Sequence, residues 1–203
     1  MKNVFKSLLA IGFAVAAPFG TAHAVTSFSS NFEEDLGPSV LNYNGFTNWD
    51  VTVQSVDLIH EPGFGILCQD TMCLDTNGST GHGGTVTTKV SFDPGTYLVK
   101  FDISGNQRGG ATDSLSLIFG SLIDTFFKDS ADPFETITRI VTIGVSSTLS
   151  FAAPGTDTDN IGIILDNVSV SAVPLPAALP LFATAVGGMG LLGWRRRRAT
   201  AAA

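Results

Sequence analysis

The strongest constraint on the fold is a run of alternating apolar and polar residues on both sides of a tight turn. Residues Thr85–Phe92 place Val86, Val90 and Phe92 on one face, and residues Tyr97–Ile103 alternate in the same way. Side chains of a β-strand point alternately to its two faces, so each half predicts a half-buried strand. The intervening Asp93-Pro94-Gly95 is typical of a tight turn. Together they predict an antiparallel hairpin with one face in the core.

The same pattern continues through most of the chain. Further strand structure is predicted at Thr26–Phe32, in the β-branched run from Phe46 through Val51, Val53 and Val56 to Asp57–Ile59, and at Met72–Thr76, Ser114–Phe119, Leu122–Phe127, Phe134–Ile143, Thr148–Phe151 and Ile161–Val170. Asn77–Gly84 is rich in Gly and polar residues, which predicts an exposed flexible loop. No amphipathic helical pattern separates these strands. Residues 25–172 therefore predict one all-β domain, an antiparallel β-sandwich.

The N-terminus has the pattern of a secretory signal peptide. Lys2 and Lys6 precede the apolar run Leu8–Ala17, and Ala22-His23-Ala24 has the small-residue spacing of a cleavage site. These features predict a signal helix over residues 1–24, cleaved between Ala24 and Val25.

The C-terminus has three features in fixed order. Val173, Pro174, Leu175 and Pro176 form a stiff extended motif. The uncharged stretch Ala177–Trp194 follows, long enough to span roughly 27 Å as a helix and so to cross a bilayer. Four cations come next, which should stay on the cytoplasmic side: Arg195, Arg196, Arg197 and Arg198. Residues 173–198 are thus predicted to be a membrane-inserted signal, with a short tail at 199–203.

This C-terminal segment resembles the PEP-CTERM sorting signal in its VPLPA variant. The resemblance implies a Gram-negative bacterial protein that is held in the inner membrane and handed to an exosortase-type transpeptidase. That enzyme would cut near the Pro-containing motif and release the protein to the cell surface or extracellular matrix. The alternative is a one-span anchor that is never cut.

The charge of the body restricts its partners. All 18 acidic residues of the chain lie in residues 25–172, together with only five basic ones: Lys89, Lys100, Arg108, Lys128 and Arg139. A net charge near −13 argues against nucleic acid as a partner and is compatible with neutral sugars and divalent cations. Cys68 and Cys73 predict a short-loop disulfide, since an exported chain meets an oxidising environment.

Several short motifs of the body resemble the choice-of-anchor domains of exported bacterial proteins. They are Asn31-Phe32-Glu33, Asn48–Val53, Ser55–Ile59, Cys73–Gly78, Gly95-Thr96-Tyr97, Ser104-Gly105-Asn106 and Ile164–Val170. The resemblance implies a galactose-binding-like jelly roll of eight to ten strands, and attachment to polysaccharide. Such modules often join their first and last strands through calcium. The resemblance therefore predicts Glu33 and Asp166 as calcium ligands. The alternative is that Glu33 is solvated and Asp166 binds nearby backbone.

A sugar site would require an exposed aromatic ring beside amides or carboxylates. Trp49 is the aromatic candidate, with a core position at the start of a strand as its alternative. Asn106, Gln107 and Arg108 lie in a Gly-rich segment and could donate hydrogen bonds to hydroxyls, although a solvated loop explains them equally well.

Motifs of catalysis are absent from the sequence. It has no G-x-S-x-G, no H-E-x-x-H and no phosphate-binding Gly loop, and nothing selects two carboxylates as a glycosidase pair. We therefore expect a non-enzymatic surface or matrix protein that associates with extracellular polysaccharide. A polysaccharide-active enzyme and a structural coat protein without a ligand site are the alternatives.

Overall fold

The computed structural model describes residues 27–154 and 159–173, together with Gly187 and Met189. These residues form two short 3₁₀ helices, Glu33–Asp35 and Gly63–Gly65, and thirteen strands. The strands are β1 Phe28–Ser30, β2 Trp49–Val53, β3 Asp57–His60, β4 Met72–Asp75, β5 Asn77–Gly78, β6 His82–Gly83, β7 Thr85–Thr88, β8 Gly95–Ser104, β9 Asp113–Phe119, β10 Leu122–Lys128, β11 Glu135–Ile143, β12 Leu149–Ala152 and β13 Ile164–Ala172.

Both predicted targeting segments fall mostly beyond this part of the chain. The signal peptide with its Ala24–Val25 cleavage site lies outside the described residues, and so do Pro174, Leu175, Pro176 and the four arginines. The predicted membrane segment Ala177–Trp194 lies outside them as well, apart from Gly187 and Met189. Within the described residues, no helix has the length and apolar character that a membrane span requires.

Two antiparallel sheets face each other and form the sandwich that the sequence predicts. The six-stranded sheet has the order β11-β8-β13-β4-β3, with β1 pairing to β13, and the five-stranded sheet has the order β10-β9-β12-β7-β2. Their inner faces share one core that contains Trp49, Phe101, Leu117, Phe151 and Val170. Burial of these apolar faces is the main favourable contribution to folding.

Local alternation explains where the strands are. In β9, Leu115, Leu117 and Phe119 are buried while the residues between them are partly exposed, as expected of a strand with one face in the core. The predicted strand Ser114–Phe119 differs from this observed strand by one residue. The predictions for β10, β11, β12 and β13 are confirmed to within three residues at each end.

The predicted hairpin between Thr85–Phe92 and Tyr97–Ile103 is wrong. β7 pairs with β2 and β12 in one sheet, whereas β8 pairs with β11 and β13 in the other. The turn at residues 93–95 therefore carries the chain across the sandwich. The Phe92 ring packs inside against Tyr97, with 5.5 Å between centroids, and the Phe92 backbone bridges to Ser147. A tight turn specifies reversal of the chain, and the choice of partner strand is made by packing.

The segment Asn77–Gly84 is also more ordered than predicted. β5 and β6 pair with each other, and Asn77, Gly78 and Gly83 are buried. A side chain at Gly83 would collide with the backbone of Ala153 and Pro154, so this segment is a packed hairpin instead of an exposed loop.

A loop covers part of the outer face of the six-stranded sheet. Residues 61–71, which connect β3 to β4 and are here called the disulfide loop, fold back over that face. Ile66 packs there against Ile59, Cys73 and Ile164 in a small second core. The disulfide Cys68–Cys73 ties the loop to β4, as the sequence predicts. One wall of the candidate site is positioned in this way.

Candidate functional site

The candidate site is a groove between the disulfide loop and the loop at residues 129–134. Its volume is about 630 Å³, within the range of small-molecule binding pockets. Polar and apolar groups converge in it: Leu67, Gln69, Ser104, Gln107, Ser130, Ala131, Asp132, Pro133 and Phe134. We call it the loop groove. The Gln69 amide, the Ser130 hydroxyl and the Asp132 carboxylate can hydrogen-bond to a sugar, and the Phe134 ring can pack against it.

Gln107 joins the two sides of the loop groove. Its amide accepts a hydrogen bond from the Leu67 N–H at 3.0 Å and donates one to the Leu67 carbonyl at 2.8 Å. Its own N–H donates to the Ser130 carbonyl at 2.9 Å. One glutamine therefore fixes the spacing of both walls, and its role is to position them.

Three acidic side chains hold the disulfide loop in place by accepting hydrogen bonds from its backbone. Glu61 accepts the Cys68 N–H at 3.1 Å, and Asp166 accepts the Gln69 N–H at 3.1 Å. Glu33 accepts the Thr71 and Met72 N–H groups at 2.7 and 2.6 Å. Residues 67–71 lie outside the strands, and the β13 pairing of β4 does not reach Met72, so carboxylates accept these N–H groups in place of a sheet partner. Charged acceptors make such bonds stronger than neutral ones.

Asp166 has an unusual environment for a carboxylate. Burial raises its pKa to about 7, and the charge of Asp70 adds to the rise, whereas the backbone bonds from Asn167 and Gln69 oppose it. Asp102 lies directly opposite on β8 and binds the Asn167 amide. The disulfide loop is thus held partly by a group that changes charge near neutral pH.

The predicted calcium ligands Glu33 and Asp166 both contact the disulfide loop. Their oxygens accept backbone N–H groups, which is the alternative that the sequence left open for Asp166. Calcium takes about six to eight oxygen ligands. Within residues 27–154 and 159–173, no group of three or more acidic, histidine or cysteine side chains is placed to hold a metal ion. This donor set does not complete a calcium site, and calcium stays a prediction from the sequence.

Trp49 lies in the core between the two sheets. Its side chain is fully buried, and its ring lies near Phe28, Phe32 and Phe151 at centroid distances of 5.2, 6.1 and 6.0 Å. Its indole Nε1 donates to Ser30 Oγ at 2.9 Å. A ring enclosed in this way presents no face to a ligand, so Trp49 is not the aromatic platform of a sugar site.

Asn106 is buried as well and stabilises a turn. Its amide donates to Asp113 at 2.7 Å, and its side-chain oxygen accepts the Arg108 N–H at 2.8 Å. Both polar ends are therefore used inside the protein. Asn106 shapes the segment that presents Gln107 and does not face the loop groove.

Arg108 is not among the residues that line the loop groove, and it pairs with a buried acid. Its guanidinium donates to Asp75, which is fully buried, and to the Asn160 carbonyl at 3.1 Å. Burial raises the pKa of Asp75 well above its ordinary value, while the Asn77 N–H and the charge of Arg108 lower it. Arg108 thus compensates an internal charge instead of contacting a ligand. Of the three predicted loop residues, only Gln107 lines the groove.

Sequence reasoning missed the remaining groove residues. Gln69 lies between the two cysteines and is exposed, and Phe134 packs partly against the small second core. The signal available was the position of Gln69 inside a disulfide-closed loop. Phe134 carries no local signal, because an aromatic residue before a strand is usually a core residue.

Comparisons with known proteins complete this description. No family model and no curated protein matches the chain. Among solved structures, the K1 cleaved adhesin domain of Lys-gingipain from Porphyromonas gingivalis is similar over 73% of this chain and 99% of that chain, at 16% identity and a TM-score of 0.51. This likeness shows the fold. It confirms the predicted β-sandwich.

Two further structures are similar with lower scores. A stig cyclase from Fischerella sp. has a TM-score of 0.49 at 15% identity, covering 74% of this chain and 100% of that chain. The CBM22-1 xylan-binding domain from Paenibacillus barcinonensis has a TM-score of 0.43 at 15% identity, covering 68% of this chain and 94% of that chain. The PEP-CTERM and choice-of-anchor resemblances stay predictions.

Proposed function

We propose that this protein is an exported β-sandwich that binds a neutral polysaccharide in the loop groove without cleaving it. The observation that carries the proposal is the convergence of Gln69, Ser130 and Asp132 beside Leu67 and Phe134, in a groove whose walls Gln107 holds together. Amides, hydroxyls and a carboxylate can bond the hydroxyls of a sugar, while apolar side chains cover its C–H face. The galactose-binding-like jelly-roll type inferred from the sequence is part of this proposal.

The charge of the body selects among polysaccharides. A net charge near −13 repels uronic-acid and sulfated chains, so a neutral chain is the favoured class. The number of carboxylates supports binding without turnover. Asp132 is the one carboxylate among the described residues that line the groove, and hydrolysis of a glycosidic bond generally uses two. Asp132 also accepts the Asp129 N–H at 2.9 Å, which gives it a role in the turn.

The predicted targeting segments support binding outside the cell. The disulfide Cys68–Cys73 fits an oxidising compartment. The sorting motif begins where the sandwich ends, because Val173 follows β13 directly and its N–H still donates to the Thr96 carbonyl at 2.8 Å. In this proposal the chain stays in the inner membrane until an exosortase-type transpeptidase cuts near Val173–Pro176, and the domain then joins the surface or matrix.

The groove predicts a specific loss of binding in a Gln69→Ala variant. Gln69 is exposed at the groove, so removing its amide is expected to weaken binding at least about tenfold while leaving the melting temperature unchanged. Calorimetric titration with soluble xylan, a β-1,3-glucan and a galactan would measure this, with alginate as an acidic chain that should not bind.

Asn44→Ala is the matched control for Gln69→Ala, since Asn44 is exposed and does not line the groove. Equal losses in both variants, or binding of none of the neutral chains, would contradict the proposal. Cleavage of any chain would favour the enzyme alternative.

The sorting signal predicts the ends of the mature protein. Intact mass spectrometry of surface and membrane fractions from the native host should find a species that starts near Val25 and ends near Val173–Pro176. Reduction should add the mass of two hydrogens, from the Cys68–Cys73 bridge. A surface species that retains Arg195–Arg198 would rule out processing and leave a membrane-anchored domain.

A further inference from the structure

The outer face of the five-stranded sheet is uncharged over four of its strands. The side chains that point outward from β10, β9, β12 and β7 are known from the strand register and from the burial of the residues between them. They are Ile123, Thr125, Phe127, Ser114, Ser116, Ile118, Ser150, Ala152, Thr85 and Thr87. The fifth strand, β2, brings the first charge, Asp50, which lies opposite Thr87 at the edge of the sheet. We call the four-strand surface the neutral face.

The neutral face is unusual on so acidic a body. The outer side of the six-stranded sheet carries Lys100 and Asp102, and the disulfide loop covers another part of it. Two bodies of net charge near −13 repel each other wherever their carboxylates approach. The repulsion is smallest where both surfaces lack charge, so the neutral face is the surface on which two copies can meet at the lowest electrostatic cost.

Apolar side chains line one side of the neutral face. Ile123 lies directly opposite Ile118 on the neighbouring strand, and Phe127 follows on the same side of β10. Ile123 and Phe127 are 70% and 69% exposed. Clustered large apolar side chains at such exposure mark contact surfaces more often than single ones do.

Four of the six hydroxyl side chains of the neutral face have partners within the sheet. Ser116 and Thr125 share a hydrogen bond of 2.8 Å, and Thr87 and Ser150 share another of 2.8 Å. Covering a hydroxyl that is already bonded avoids the penalty of leaving a polar group unsatisfied. Removing water from these bonded hydroxyls on association therefore costs little free energy.

We propose that the neutral face is the surface through which two copies of this chain associate. The two sheets would pack face to face about 10 Å apart, as sheets do within a sandwich. Two strands of seven residues and two of four, spaced about 4.8 Å apart, give a face of roughly 350 Å². Stable complexes bury about 800 Å² on each partner. The dimer is therefore weak and forms at high local concentration, as at a crowded cell surface.

Sedimentation velocity of the exported protein over a range of concentrations tests the dimer. The sedimentation coefficient of the wild type is expected to rise with concentration, and added salt should strengthen association by screening the repulsion. In Ile123→Glu and Phe127→Glu, association is expected to weaken at least tenfold, because each buries a charge opposite a neutral surface. Ile140→Glu is the matched control. Ile140 is 71% exposed on β11 of the other sheet, and its variant should associate like the wild type.

Several outcomes would overturn the dimer. The wild type could stay monomeric at about millimolar concentration, or Ile140→Glu could weaken association as much as the two neutral-face variants. Loss of polysaccharide binding in Phe127→Glu with a monomeric wild type would assign the face to a glycan instead. Melting temperatures check that each variant is folded. Association requires no saccharide, so failure of the dimer and failure of the loop groove are separate results.

Discussion

Replacing Trp49 by alanine is expected to lower the free energy of unfolding by about 3–5 kcal/mol. The side chain is fully buried, and its ring lies against Phe28 and Phe151 from the two sheets and against Phe32. Alanine would leave a large cavity and would also remove the Nε1 donor from Ser30. Urea unfolding followed by circular dichroism measures the effect as a lower midpoint at similar slope.

Two further variants serve as controls for Trp49→Ala. Trp49→Phe keeps most of the apolar volume and should lower the free energy of unfolding by less than Trp49→Ala does. Phe127→Ala removes an aromatic side chain that is 69% exposed and should change stability by only about 0.5 kcal/mol. A Trp49→Ala variant that keeps wild-type stability and loses saccharide binding would show that Trp49 is a ligand platform and would contradict the core assignment.

Replacing Arg108 by methionine is expected to lower the free energy of unfolding by about 3 kcal/mol at pH 8. The substitution keeps the aliphatic volume and leaves Asp75 buried without its cation. Removing one partner of a buried ion pair is far more destabilising than losing a surface pair, because the remaining carboxyl must either stay charged without compensation or take up a proton. Urea unfolding of both proteins at pH 5 and pH 8 measures the difference.

The pH dependence of this loss follows from the pKa of Asp75. Burial already raises that pKa, and the Arg108 charge opposes the rise, so the variant should have a still higher value. The folded variant then keeps a proton on Asp75 at pH values where the unfolded chain has released it. Stability of the variant therefore falls as pH rises, and the deficit relative to wild type should be smaller at pH 5 than at pH 8.

Arg139→Met is the control for Arg108→Met. Arg139 pairs with Asp124 at 2.6 Å, but both side chains are about one-third exposed, and its loss should cost about 1 kcal/mol or less. Equal effects of the two substitutions would show that the buried Arg108–Asp75 pair contributes no more to stability than the surface pair does. An Arg108→Met variant of unchanged stability that no longer binds saccharide would restore Arg108 as a ligand contact.

The sequence by itself determined the strands and the class of fold. The alternation in Asp113–Phe119 and Glu135–Ile143 places one face of each strand in an apolar environment, and any β arrangement of this chain must bury that face. The disulfide was also foreseeable, since two cysteines five residues apart in an exported chain have no other partner. These properties depend on neighbours along the chain and can be read locally.

Only the tertiary structure decided which strands pair and which polar residues face solvent. The turn at residues 93–95 is compatible with a hairpin or with a crossing between sheets, and packing of Phe92 and Tyr97 in the core selects the crossing. The support of the disulfide loop brings together Glu33, Glu61 and Asp166, and Asp75 meets Arg108 from 33 residues away. Hydrogen bonds of this kind join groups distant in sequence. Whether a polar side chain binds a ligand or completes the interior depends on what the fold places beside it.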